Sequence, residues 1–241
     1  LTANDPKNDD PADPCGLPPT LSEIEEVIEE GRARKPDGAP GRDRITWRFI
    51  HLFFPYLKHF LHLLLITMWS LECIATEWSL DKLISLIKDS NGDSLDPGNY
   101  RPIFLQSILF KILDGIVDKR LRKYILPKLE PEQGGFVSQR GTTEQSFVVN
   151  TIFQYFNDHG LPLFCAFIDI SKAFDRVPRV GLWYKLWEIG TPPKLWRVIR
   201  AMYAKTSAAM GHHSSPTATI LEILSGVREG GKSSPSKFNI F

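Results

Sequence analysis

Cysteine is the first scarcity. Only three occur in 241 residues, Cys15, Cys73 and Cys165, with no paired spacing. Such usage argues against a disulfide framework or a Cys-based zinc site and fits a reducing compartment. Charge of one sign is also missing: 29 Lys and Arg face 28 Asp and Glu, a formal net of +1. A nucleic-acid partner would therefore need a local basic groove rather than a global field. Long uncharged apolar runs are missing too. The hydrophobic region from Trp47 to Ile74 is interrupted by Arg48, Lys58 and Glu72, and its uncharged part, around Leu61–Leu71, is too short to span a bilayer. That region reads as a buried or half-buried helix, and no membrane partner is expected. There is no GxSxG elbow. His59 with His62, and His212 with His213, have no carboxylate or Cys neighbours to complete a metal site.

What is present is a globular composition, 42% hydrophobic and 24% charged, able to bury a core. Residues 1–19, rich in Asp, Asn and Pro, read as a disordered linker, and residues 20–241 as the domain. Both ends read like cuts through a longer protein. Thr20 and Glu23 form a capping box ahead of a helix with Leu21, Ile24, Val27 and Ile28 on one face. Residues 35–44 make a turn segment, and a second helix covers about 46–70. Leu83–Ile87 reads as a short strand. NYRPI at 99–103 leads into a helix burying Leu105, Ile108, Leu109, Ile112, Leu113, Ile116 and Val117. The basic run 119–123 is either a solvated helix end or a contact for a nucleic-acid backbone.

The Gly-rich loop QGGFVSQRGTTEQ at 133–145 precedes a helix with Phe147, Val148, Ile152, Phe153 and Phe156 on one face. Leu163–Ile168 is an unbroken apolar run, expected as a strand covered on both faces. Two helices follow, the second opening at Thr191-Pro192, and short strands are expected near 206–210 and 218–224. Asp169 ends the apolar run. A carboxylate at the end of a buried strand is costly without a partner, and a hard divalent cation is one good partner.

The string FIDISKAFDRV, with Phe174 five residues after Asp169, resembles the first palm motif of reverse transcriptases from non-LTR, LINE-type retrotransposons. The resemblance implies that Asp169 is a catalytic metal ligand and that Phe174 is a steric gate occupying the space of a ribonucleotide 2′-OH. It extends along the chain in family order. Lys88 and the Arg101 of NYRPI match finger residues that touch the incoming triphosphate, suited to it as a point charge and a bidentate fork. QGGFVSQRGTTEQ resembles a template-contacting QxGFRxxRxT stretch, which implies template contact at Arg140 and Gly141; Val137 stands where Arg is usual. GVREGGKSSPSKFNIF at 226–241 resembles GVRQGxxLSPxLFN, placing Glu229 and Gly230 beside the nucleotide.

There are departures. Glu229 replaces a usual Gln and would repel a triphosphate. Lys232, Ser233 and Lys237 fall where apolar residues are common, a sign of sequence decay. The aromatic-x-Asp-Asp motif is missing, since the one Asp-Asp pair is Asp9-Asp10. The expected fold is α+β, a right-hand polymerase with helical fingers and the first part of a palm built on a split βαβ-type antiparallel sheet, stopping before the second catalytic motif and thumb. The implied enzyme is an RNA-directed DNA polymerase using two Mg²⁺, an RNA template, a DNA primer and dNTPs. With one carboxylate of the site, this chain is expected to be inactive alone. The alternative is a non-catalytic remnant that at most binds nucleic acid.

Overall fold

The structure is a computed structural model that describes residues 13–210 and 219–241. Its centre is α3 (Ile108–Ile125), whose Ile112, Leu113, Ile116, Val117 and Leu121 are fully buried. Ser107 caps it, its hydroxyl accepting from the Leu109 N–H. Against α3 packs α1 (Leu21–Arg34), which begins with the expected capping box at Thr20 and Glu23. Next to α1 lies α2 (Trp47–Leu71), burying Trp47, Ile50, Leu61, Leu65, Met68 and Trp69. Length and composition alone would let α2 cross a membrane. Its buried stripe nonetheless belongs to the core, while Leu52, Tyr56, Phe60 and Leu63 face solvent. Half-buried is thus the correct description.

Residues 13–19, inside the stretch expected to be a linker, are fastened down. Arg120 donates to both carboxylate oxygens of Glu23 at 2.7 Å and to the carbonyls of Cys15, Leu17 and Pro18, and its guanidinium lies 4.7 Å over the Trp69 ring. The basic run around it is similarly engaged. Lys119 bridges Glu26 and Glu30, and Arg122 pairs with Asp118. Arg122 lies in the last turn of α3, as a helix-end cation would, and all three residues are paired within the fold.

One sheet of four strands has the order β2-β1-β3-β4, with β1 (Leu80–Ile87), β2 (Tyr100–Leu105), β3 (Ser207–Met210) and β4 (Thr219–Glu222). The β1–β2 and β3–β4 pairs are antiparallel, but β1 and β3 run parallel, so the sheet is mixed rather than antiparallel as expected. The β1–β3 pairing joins residues far apart in sequence, which no local pattern announces. Leu105, expected in the helix, closes β2.

The larger correction concerns Leu163–Ile168. No strand forms there among the described residues, and residues 162–170 make no backbone hydrogen bond to them. Phe164 is 92% exposed, Phe167 83% and Ile168 89%. An apolar run states that a segment needs cover; a strand also needs a neighbour's backbone, and none of the described residues pairs with it. The preceding helix, α4 (Thr142–Asp158), buries none of its residues, so its Phe147 and Ile152 are exposed as well. By contrast α5 (Arg179–Glu188) and α6 (Pro193–Ala201) join the core through Leu182, Leu186, Leu195, Val198 and Ile199. The cap of α6 is Pro192, one residue after the expected Thr191. A short α7 (Ser234–Phe238) starts at the expected Ser-Pro.

Candidate nucleotide and nucleic-acid site

Three distant segments meet at Phe174. Its ring stacks on Phe238 of α7 with centroids 4.7 Å apart and planes at 14°, and Phe136 of the Gly-rich loop meets it edge-on at 5.8 Å and 84°. The loop and α7 are also joined by amides. Asn239 donates to the Gly135 carbonyl at 2.9 Å, and Gln133 donates to the Asn239 side-chain oxygen at 3.5 Å.

The turn ahead of α7 is tied to the segment after Asp169 by its backbone. Gly226 N–H donates to Val177 O at 2.9 Å, Val227 N–H to Phe174 O at 3.0 Å, and the Ser225 hydroxyl to Asp175 O at 3.1 Å. Gly226 has φ of 80°, and a Cβ there would lie 2.8 Å from Phe174 O, so no other residue fits without shifting the chain. Gly230, with φ of 79°, meets the same limit against Phe104 O on β2. Its close approach is thus to the hairpin's backbone.

Arg228, between these glycines, is buried. It donates to Asp81 Oδ1 at 2.6 Å and to Trp78 O at 3.0 Å, and its guanidinium lies 3.9 Å over Phe110. Below it, Ser233 donates through its backbone and its hydroxyl to Asp114. Lys237, 1% exposed, donates to Ser233 Oγ at 2.6 Å, sits 3.7 Å from Asp114 Oδ1 and lies over the Tyr203 ring. Ser236 donates to Asp118 at 2.5 Å. Lys232 reaches the Val27 carbonyl and the face of Trp47. The polar residues that resembled decay therefore have dedicated partners; Asp81, Asp114, Asp118 and Arg228 are the positions that sequence reasoning missed. Asp114 and Asp118, four apart in an apolar stripe, were the available signal.

Other expected site residues are placed less tightly. Asp169 is exposed and makes no hydrogen bond or ion pair with the described residues. Lys88 continues the β1–β2 hairpin, and its ammonium donates to Gly98 O at 2.7 Å within its own loop. Arg101, opposite Leu86 on β2, is exposed and has no partner among the described residues. Arg140 donates to Pro131 O at 2.5 Å, and Gly141 caps α4 facing open space. Glu229 is half-buried; burial, and then the nearby charge of Asp175, push its carboxyl above the usual range. A cleft beside Glu229 is lined also by Asp81, Phe104, Asp175 and Arg228.

As donors for divalent cations the described residues are incomplete. Among them, no three carboxylate, His or Cys side chains converge.

Comparison with known proteins agrees with this convergence of motifs. The family model of reverse transcriptase (RNA-dependent DNA polymerase) matches residues 87–241. The chain belongs to the reverse transcriptase family. Membership implies a right-hand polymerase fold, and the mixed helix-and-sheet architecture is consistent with it. Over 228 residues, 92% of the chain, it is 29% identical to the RNA-directed DNA polymerase from mobile element jockey of Drosophila melanogaster. It is 26% identical over 213 residues to the Transposon TX1 uncharacterized 149 kDa protein of Xenopus laevis, covering 88% of the chain. A third relative is the Retrovirus-related Pol polyprotein from type-2 retrotransposable element R2DM of Drosophila melanogaster, 25% identical over 144 residues and 60% of the chain. These relatives are proteins of non-LTR retrotransposons. The chain spans 24% of the jockey polymerase, 16% of the TX1 protein and 13% of the R2DM polyprotein.

Proposed function

We propose that the chain is the fingers and the first part of the palm of an RNA-directed DNA polymerase from a non-LTR retrotransposon. The complete enzyme extends a DNA primer on an RNA template and consumes dNTPs. The observation that carries this is the meeting of three family motifs at one ring, Phe174 between Phe136 and Phe238. Stray motif matches would have no reason to meet. In this reading Asp169 holds one Mg²⁺, and Phe174 excludes the 2′-OH. Arg101 and Lys88 face the triphosphate, Glu229 and Gly230 border the nucleotide, and Arg140 and Gly141 lie along the template. Arg101 supports the assignment best among the cations, because its guanidinium has no partner among the described residues and can grip phosphate. Lys88 would have to release Gly98 O first.

Divalent ions polarise the attacking and leaving oxygens in phosphoryl transfer, which takes several carboxylates. No group of three such ligands forms among the described residues, so no catalytic step is assigned to this chain, and it is expected to be inactive alone. A primer-extension assay with the 241-residue chain, an RNA template, Mg²⁺ and dNTPs should give no template-dependent product. Product would overturn that part of the reading. In a longer active chain containing this one, Asp169→Ala should abolish product, and retained synthesis would remove Asp169 from the site.

A further inference from the structure

Phe136 is oddly placed for a residue that serves only the core. It is 54% exposed, and its backbone φ is 60°, a left-handed conformation that bulky residues adopt only when their surroundings enforce it. What it gains is the edge of the Phe174 ring, while Phe238 supplies a flat floor on another side. Edge-on and offset-stacked geometries are those that aromatic pairs prefer. The loop bearing Phe136 is held to α7 by the Gln133 and Asn239 amides, so ring, loop and helix are linked. A steric gate discriminates only if it cannot turn aside, and an unsupported aromatic side chain has other staggered rotamers open to it.

We propose that Phe136 and Phe238 are positioning residues that lock the Phe174 ring, making the loop at 133–141 part of the discrimination between deoxyribose and ribose. This rests on the reading of Phe174 as the sugar gate. Aromatic pairs of this kind set the scale: removing one should lower the preference for deoxynucleotide about twofold to tenfold.

The test uses the 241-residue chain with an RNA template–DNA primer duplex and Mg²⁺. Affinities for dATP and ATP opposite a template uridine are measured by competition with a fluorescent nucleotide; binding without turnover is enough. Phe136→Leu and Phe238→Leu should each reduce the dATP-over-ATP preference, Phe136→Tyr should keep it, and Phe174→Val should remove it. Thermal midpoints identify any variant that has unfolded, and the exposed Phe136 keeps the test open should Phe238→Leu fail to fold. If Phe174→Val removes the preference while Phe136→Leu leaves it intact, the positioning role is wrong and the gate survives. If the unaltered chain shows no preference, or binds no dATP, the gate reading falls and the inference with it.

Discussion

Ile112–Val117 on α3 and Leu163–Ile168 before Asp169 are both strongly apolar, yet they end in opposite surroundings. The first places Ile112, Leu113, Ile116 and Val117 in the core at 0–1% exposure, whereas the second leaves Phe164 and Ile168 almost fully exposed. A helix closes its own backbone hydrogen bonds and needs only an apolar surface to lie on. An extended segment needs both a surface and a neighbour's backbone. The consequence for function is a site built unevenly. The supports of Phe174 are cross-linked by ring contacts and amide hydrogen bonds, while the carboxylate proposed for the metal sits at the end of a segment without backbone partners among the described residues.

Mutations should expose that asymmetry. The largest effect is expected at Arg228, because removing one partner of a buried ion pair costs about 3–5 kcal/mol. Arg228→Ala should therefore lower the urea midpoint sharply, and an unchanged midpoint would mean that the Asp81 pair is not formed in solution. Leu113→Ala, a cavity in α3, should cost about 2–5 kcal/mol in the same measurement. The matching substitution in the exposed run, Phe164→Ala, should stay within about 0.5 kcal/mol, as should Asp169→Ala. Equal losses at Leu113 and Phe164 would erase the contrast.

A smaller, pH-dependent effect is expected at Glu229. Burial and Asp175 raise its folded-state pKa above the ordinary value of a glutamate, so the folded protein holds this proton more tightly than the unfolded chain. Stability therefore falls as pH rises from the unfolded value through the folded one, and the penalty is complete above both. Glu229→Gln removes it. The variant should melt higher than the parent near pH 7 and match it near pH 4. A variant melting lower at pH 7 would show that the ionised carboxylate has a favourable partner.

Much of this architecture was legible in the sequence, for identifiable reasons. The Thr20 capping box, the apolar stripe of α3 and the Ser-Pro start of α7 are local signals, and each appears where expected. Motif strings named the three segments that meet at Phe174, but not the contacts of Phe136 and Phe238 with its ring. The parallel β1–β3 pairing was not legible, since register between distant strands leaves no local trace. Lys237 and Ser233 looked like errors in a motif because Asp114 lies 119 residues before Ser233; Arg228 likewise finds Asp81 147 residues away. Neighbouring sequence cannot show such partners. The strand expected at Leu163–Ile168 failed for the complementary reason: composition showed the demand for burial, and no described segment of the chain meets it.

Backbone amide hydrogen exchange on the 241-residue chain tests this uneven construction most directly. Amides of Ile112–Val117 should be strongly protected, at close to the global stability of the fold, while those of Phe164–Asp169 exchange near the rate of an unstructured peptide. Strong protection across Phe164–Asp169 would contradict it, because those amides would then have found partners and the carboxylate strand would already be in place.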